Sequence, residues 1–288
     1  MLERKFAESL EKFLLHEPRK ILLIRYVGKK LFKHFVEINL KADQEGDGIF
    51  KTVRSKEDFY LQLGAMAGNN LGSKDDTLVF LDEIQSYPHL MTMLKFLNED
   101  GKYRYVASGS QLGVALSQTP SVPIGSIAVQ QMYPLDFEEF LWAMGCGKEA
   151  IESMRHSFLD RKALNESMHN YMLQQFKIYL LVGGMPDAVN KFLENRNMAQ
   201  VRSIQRDIHA LYKIDASQYD DERKLVIRKI YDMIPSNMEN KKKRIIVKNI
   251  EGLKAHKQFS DYAEEFEYLT NSGVALSVQA ISNPSFPL

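Results

Sequence analysis

The stretch that most constrains the fold runs from Thr77 to Gln85 and reads TLVFLDEIQ. Its four consecutive apolar residues, Leu78 to Leu81, are typical of a short strand that is buried on both faces of a parallel sheet. The run ends in two carboxylates, Asp82 and Glu83. Open α/β sheets bind their ligands beyond the carboxyl ends of their strands, so this pair lies where a ligand is expected.

Four apolar residues followed by Asp-Glu also form the Walker B pattern of nucleotide-hydrolysing proteins. In that role Asp82 helps to hold Mg²⁺, and Glu83 polarises the attacking water. The alternative interpretation is a strand that ends in acidic residues only because they keep the strand end soluble. The pattern taken alone leaves both interpretations open.

Apolar runs alternate with helical patterns over the first half of the chain, and this alternation predicts an α/β fold with a parallel sheet. Strands are predicted at Lys20–Arg25, Lys33–Leu40, Leu78–Leu81, Arg104–Ala107 and Ile127–Met132, and helices at Leu2–Leu15, Lys56–Met66 and Pro88–Asn98. The strand at Arg104–Ala107 is followed by Ser108, Gly109 and Ser110. Hydroxyl residues there occupy the sensor position of ring-forming ATPases, or they simply cap the strand.

The second half of the chain is predicted to be mainly helical. Helices are expected at Met168–Val182, Asp187–Leu193, Val201–Tyr212, Asp221–Ile234 and Ser260–Thr270, with a strand-like alternation at Val274–Ile281. Two helices followed by a strand predict a winged helix, a fold that often binds DNA.

Some charges of this region favour DNA binding, and others oppose it. The basic run Lys241 to Arg244 would contact phosphates. The helix that would enter the groove carries Asp261, Glu264, Glu265 and Glu267, which would oppose DNA binding. A winged helix used for protein contacts is therefore favoured over one that binds DNA.

Composition excludes several kinds of site. Lys and Arg number 38 and Asp and Glu 37, so no global charge directs the chain toward nucleic acid. The single cysteine, Cys146, excludes an internal disulfide and a cysteine-based zinc cluster. The amino terminus lacks an apolar signal core, and no run approaches the ~18 apolar residues that span a bilayer. A cytoplasmic protein without membrane contact is expected.

Four segments together resemble one family, the prokaryotic AAA-superfamily ATPases that carry a nuclease-like carboxy-terminal domain of unknown function. The segments are LVFLDEIQ, YVASGSQLGVAL, IAVQQMYPLDFEEFLWAMG and YLLVGGMPDAV. The resemblance implies ATP and Mg²⁺ as ligands, with Asp82 as the metal contact and Glu83 as the water-activating carboxylate. Ser108 or Ser110 would be the sensor.

The resemblance and the helical pattern of the second half together predict three domains. An AAA-type core with a P-loop NTPase-like sheet is expected at residues 1–145, a helical lid-like region at 146–215 and a winged helix at 216–288. The family's nuclease-like domain is expected to be missing after Leu288, so this chain offers no nuclease carboxylates.

The chain departs from the family at the phosphate loop. The motif G-x-x-x-x-G-K-[ST], whose backbone and lysine hold the phosphates, does not occur in the sequence. Gly28 and Lys29 are the nearest match and the remaining candidates for phosphate contacts. Between Ile24 and Lys33 lie only the residues Arg25 to Phe32, whereas a crossover with its helix usually needs ~10–12 residues. The sequence therefore predicts that the loop has been removed.

Three functions follow from these patterns. The first is an AAA-type ATPase homologue whose ATP binding and hydrolysis are impaired because the phosphate loop is absent. The second is an interaction scaffold that works without nucleotide and binds a protein partner that the sequence does not identify. The third is a DNA-binding winged-helix protein.

Overall fold

The computed structural model describes residues 30–109, 132–215, 223–239 and 258–278, together with Lys5, Ala128 and Ile250. Several sequence predictions fall wholly or largely outside these residues. They are the helix at 2–15, the strands at 20–25 and 127–132, the site candidates Gly28, Lys29 and Ser110, and the basic run 241–244.

The described sheet has three parallel strands in the order β1-β2-β3, which confirms the predicted α/β class. The strands are β1 (His34–Asn39), β2 (Thr77–Asp82) and β3 (Arg104–Ala107). The central strand is buried from Thr77 to Leu81, as its uninterrupted apolar run predicts. Only its last residue, Asp82, is partly exposed.

Three helices accompany this sheet: α1 (Leu40–Glu45), α2 (Lys56–Ala67) and α3 (Pro88–Asp100). α2 and α3 are the two crossovers between the strands, and right-handed crossovers in one direction place both on the same face. Side chains that share this core include Val36, Ile38, Val79, Leu81, Tyr105, Phe59, Leu63, Leu90, Leu94 and Leu97.

The helix α1 was not among the helices predicted from the sequence. The helix forms because Asn39 caps its first turn by accepting a hydrogen bond from Ala42 N, while Leu40 is buried in the core.

The helical region contains α4 (Phe137–Ala143), α5 (Lys148–Leu159), α6 (Glu166–Val182), α7 (Pro186–Asn195) and α8 (Met198–Asp215). Its core includes Leu135, Phe140, Val182, Val189 and Phe192. Leu135 N donates to Gly184 O at 2.8 Å, and Tyr179 Oη donates to Leu135 O at 2.8 Å. The Tyr-Pro-Leu and Val-Gly-Gly-Met-Pro segments of the sequence therefore contact each other.

The carboxy-terminal helices are α9 (Lys224–Glu239) and α10 (Ala263–Asn271). They pack around a core that includes Ile227, Ile230, Ile250, Tyr262 and Leu269. Residues 274–278 contain no strand, and 279–281 lie outside the described part, so the winged helix stays a prediction. The proposed domain limits at 145 and 215 are likewise predictions. In the part of the chain that the structure describes, no helix is both long and apolar enough to cross a bilayer.

Candidate functional site

Three polar residues meet at the carboxyl edge of the sheet because of the strand register. Asn39 at the end of β1 pairs with Asp82 at the end of β2. Leu81 pairs with Ala107, so Ser108, the next residue, comes opposite Asp82. Paired residues of parallel strands project to the same face. An amide, a carboxylate and a hydroxyl are therefore brought into one row.

Hydrogen bonds join the members of this row. Asn39 Nδ2 donates to Asp82 Oδ2 at 3.2 Å, and Ser108 Oγ donates to Asp82 Oδ1. The backbone supports the same arrangement, since Ser108 N donates to Leu81 O and Ile84 N donates to Ser108 O, both at 2.9 Å. Both carboxylate oxygens of Asp82 are thus anchored to neighbouring strand ends.

Asn39 was missed by the sequence reasoning, although it belongs to this row. Its Oδ1 accepts a hydrogen bond from Ala42 N at 2.8 Å, so the amide nitrogen is left to face Asp82. The available signal was an asparagine near the end of a predicted strand, a residue type that often caps a helix. The contact with Asp82 depends on the register, which the local pattern does not encode.

Glu83 has an unusual backbone conformation. Its φ of 56° and ψ of 47° lie in the left-handed region, which is costly for residues with a Cβ. Its side chain is partly buried and accepts a hydrogen bond from Gln85 Nε2. Backbone strain of this kind is concentrated at functional sites, where the surrounding structure maintains it.

The turn that follows Glu83 is held by α1. Gln44 Nε2 donates to Ser86 O at 3.1 Å, and Tyr87 Oη donates to Asp43 Oδ2 at 2.9 Å. Burial and the contact with Asp43 raise the pKa of Tyr87 to about 12, so the phenol stays a hydrogen-bond donor at neutral pH. The carboxyl edge is therefore a connected polar frame.

The chemistry of this frame suits a hard cation that keeps several waters. Mg²⁺ prefers oxygen ligands and is commonly bound through one or two carboxylates together with phosphate oxygens. Asp82 offers the carboxylate and Ser108 a hydroxyl oxygen. Within the described ranges, no group of three or more His, Cys, Asp or Glu side chains could hold a metal ion. Asp82 and Ser108 could therefore supply only part of the oxygen ligands of a Mg²⁺ ion.

The sequence-predicted candidates are distributed as follows. Asp82, Glu83 and Ser108 are brought together at the carboxyl edge, while Ser110, Gly28 and Lys29 lie outside the described residues.

Comparison with protein-family models matches residues 20–141 to an AAA domain. Residues 173–287 match a domain of unknown function, DUF8612. The first match includes the whole described sheet and the row of Asn39, Asp82 and Ser108. No curated protein and no solved structure matches the chain. These findings support an AAA-type domain followed by a domain to which no function is attached.

Proposed function

We propose that the chain is an AAA-type ATPase homologue that retains the Mg²⁺-binding edge of its sheet, while the missing phosphate loop impairs ATP binding and hydrolysis. The observation that carries the proposal is the position of Asp82, at the end of the buried central strand and bonded to Ser108. The AAA-domain match over residues 20–141 supports it.

Each residue of the edge has a role in this proposal. When bound, Mg²⁺ would neutralise phosphate charge, and Asp82 would hold it directly or through water. Each oxygen of Asp82 accepts a hydrogen bond from a neighbouring strand end and keeps further lone-pair capacity for that contact. Ser108 would orient the carboxylate, and Glu83 would orient a water.

The expected impairment follows from charge. A phosphate loop supplies backbone N–H groups and a lysine to the triphosphate, and the sequence lacks the motif. The neighbouring carboxylates of Asp82 and Glu83 would repel a triphosphate unless a cation lies between them. Nucleotide binding should therefore be weak and should depend on Mg²⁺.

Titration with a fluorescent ATP analogue, with and without Mg²⁺, tests this function. Saturable, Mg²⁺-dependent binding should be lost in Asp82→Ala and kept in Asp75→Ala. The control makes the same substitution near the amino end of β2, where the Asp75 side chain is 83% exposed. Absence of binding up to millimolar nucleotide would overturn the proposal. Rapid ATP hydrolysis that depends on Glu83 would contradict the proposed impairment of catalysis.

One observation favours a second candidate, an interaction scaffold that works without nucleotide. Both oxygens of Asp82 already have partners within the chain. The row can therefore hold the strand ends together without any ligand. In that case Asp82→Ala would lower stability equally with and without Mg²⁺-nucleotide.

The DNA-binding alternative has less support among the described residues. Glu264 is exposed on α10 and forms an ion pair with Arg223, and Glu267 is also exposed. An acidic helix face of this kind opposes contact with phosphates.

A further inference from the structure

Lys5 makes contacts with the helical region, more than 130 positions away in the sequence. Its backbone N donates to Glu139 Oε1 at 2.7 Å. Its Nζ donates to Asp136 Oδ2 at 2.7 Å and also forms an ion pair with Glu138. The main chain and the side chain of one residue are thus both bound by the start of α4.

The start of α4 is prepared for this contact by a capping box. Asp136 accepts from Glu139 N at 2.8 Å, and Glu139 Oε2 accepts from Asp136 N at 3.0 Å. The second oxygen, Oε1, receives the backbone N–H of Lys5. Glu139 is only 4% exposed, and a buried carboxylate needs such donors. The contact is therefore more specific than a surface ion pair.

An aromatic ring completes the site. Lys5 Nζ lies 5.8 Å from the centroid of the Trp142 ring, and Lys148 Nζ lies 5.0 Å from it. Both distances are within the range of cation–π attraction. Trp142 is the single tryptophan of the chain, so its fluorescence reports on this site.

The pKa shifts of Lys5 and Asp136 show that each residue stabilises the charged form of the other. Burial lowers the pKa of Lys5, but hydrogen bonds and charges from Asp136 and Glu138 outweigh it and raise the pKa. Burial raises the pKa of Asp136, but the hydrogen bond from Lys5 outweighs it and lowers the pKa. Both partners therefore remain charged over the ordinary pH range.

We propose that Asp136, Glu138, Glu139 and Trp142 form a docking site that binds the chain's own amino-terminal segment through Lys5. Docking anchors Lys5 to the start of α4 through contacts with residues that are distant in the sequence. The proposal does not depend on nucleotide binding.

The rival explanation is a surface ion pair without consequence. The Lys5 side chain is 41% exposed and that of Asp136 is 53% exposed, and exposed pairs contribute little on their own. The two explanations differ in their prediction for Trp142, because release of a docked segment would expose the ring to water.

The test compares Trp142 fluorescence and its quenching by acrylamide in variants of the full chain. Lys5→Glu places like charges against Asp136 and Glu138 and should shift the emission to longer wavelength, with stronger quenching. Lys177→Glu makes the same charge change at an exposed position of α6 and should leave both readouts unchanged. Equal spectra for the two variants would overturn the proposal.

Two milder variants keep the test decisive if Lys5→Glu fails to fold. Lys5→Ala and Glu138→Gln should each increase the quenching of Trp142 fluorescence. The double variant should show a smaller increase than the sum of the two single increases, because both substitutions remove the same contact. Full additivity would overturn the docking site. The readouts should also be independent of protein concentration, since a concentration-dependent signal would assign the segment to a second copy and contradict docking within one chain.

Discussion

Asn39 and Asp82 end neighbouring strands and share a hydrogen bond of 3.2 Å from Asn39 Nδ2 to Asp82 Oδ2. The same asparagine caps α1 through its Oδ1. One side chain therefore links the candidate metal contact to the helix that also holds the turn after Glu83. The two roles use different atoms, so substitution can separate them.

Asn39→Asp keeps a capping oxygen but replaces the donor to Asp82 with a second carboxylate. We expect a loss of about 1 kcal/mol from the repulsion at this exposed edge, and recovery when millimolar Mg²⁺ bridges the two groups. Thermal unfolding in EDTA and in Mg²⁺ measures both effects. Asn190→Asp at an exposed position of α7 is the control. An unchanged melting temperature in EDTA would contradict the prediction.

Much of the α/β part could be predicted from local patterns. The strand Arg104–Ala107 has the predicted limits, and the predicted run Leu78–Leu81 lies within β2, because short apolar runs bounded by polar residues are strong strand signals. The helix α5 was not predicted. Ile151 is its one buried residue, so its apolar pattern is too sparse to distinguish it from a polar loop.

The candidate site was predictable in part. The proximity of Asp82 and Ser108 follows from the parallel order of their strands. The left-handed backbone of Glu83 does not follow from the sequence, because glutamate has no preference for that region. It results from long-range contacts such as Ile84 N to Ser108 O, which exist only after the strands have paired.

Gly184 should be the most sensitive glycine of the helical region. A Cβ at this position would lie 2.2 Å from Leu135 O, and the backbone would have to move away from Leu135. Gly184→Ala should therefore lower the free energy of unfolding by about 2–3 kcal/mol. Urea unfolding followed by Trp142 fluorescence measures the change.

The matched control for Gly184 is Gly147→Ala at the start of α5. Gly147 has a φ of −64°, and a Cβ there meets no atom within 4 Å. Because Gly147 is the N-cap of α5, where glycine is preferred to alanine, this substitution should cost about 0.5–1 kcal/mol, clearly less than Gly184→Ala. Equal effects of the two substitutions would show that the close approach of Gly184 to Leu135 does not govern stability.

His89 should make stability depend on pH. Burial lowers the pKa of His89 below its ordinary value of 6.5, Arg54 acts in the same direction, and the hydrogen bond with Phe50 O opposes both. The unfolded chain therefore takes up this proton at a higher pH than the folded chain. The contribution of neutral His89 to the free energy of unfolding is therefore fully present above pH 6.5. It is lost as the pH falls from 6.5 through the lower pKa of the folded state.

His89→Gln should flatten this part of the pH profile. Urea unfolding at pH values from 7.5 to about 5 should show a smaller loss of stability for the variant than for the wild type. His169→Gln, at an exposed position of α6, should keep the wild-type profile. Parallel profiles for His89→Gln and the wild type would refute the assignment.

At position 83 a glycine variant should be more stable than an alanine variant, the reverse of the usual order. Both substitutions remove the carboxylate and its bond with Gln85, so their difference reports the backbone alone. At a φ of 56° alanine is strained and glycine is not. Glu83→Gly should therefore be more stable than Glu83→Ala by about 1 kcal/mol.

The control is Glu152 in α5, where the backbone is helical. There the alanine variant should be more stable than the glycine variant by about the same amount. The same order at both positions would mean that Glu83 stores no backbone strain, and the candidate site would lose one of its distinguishing features.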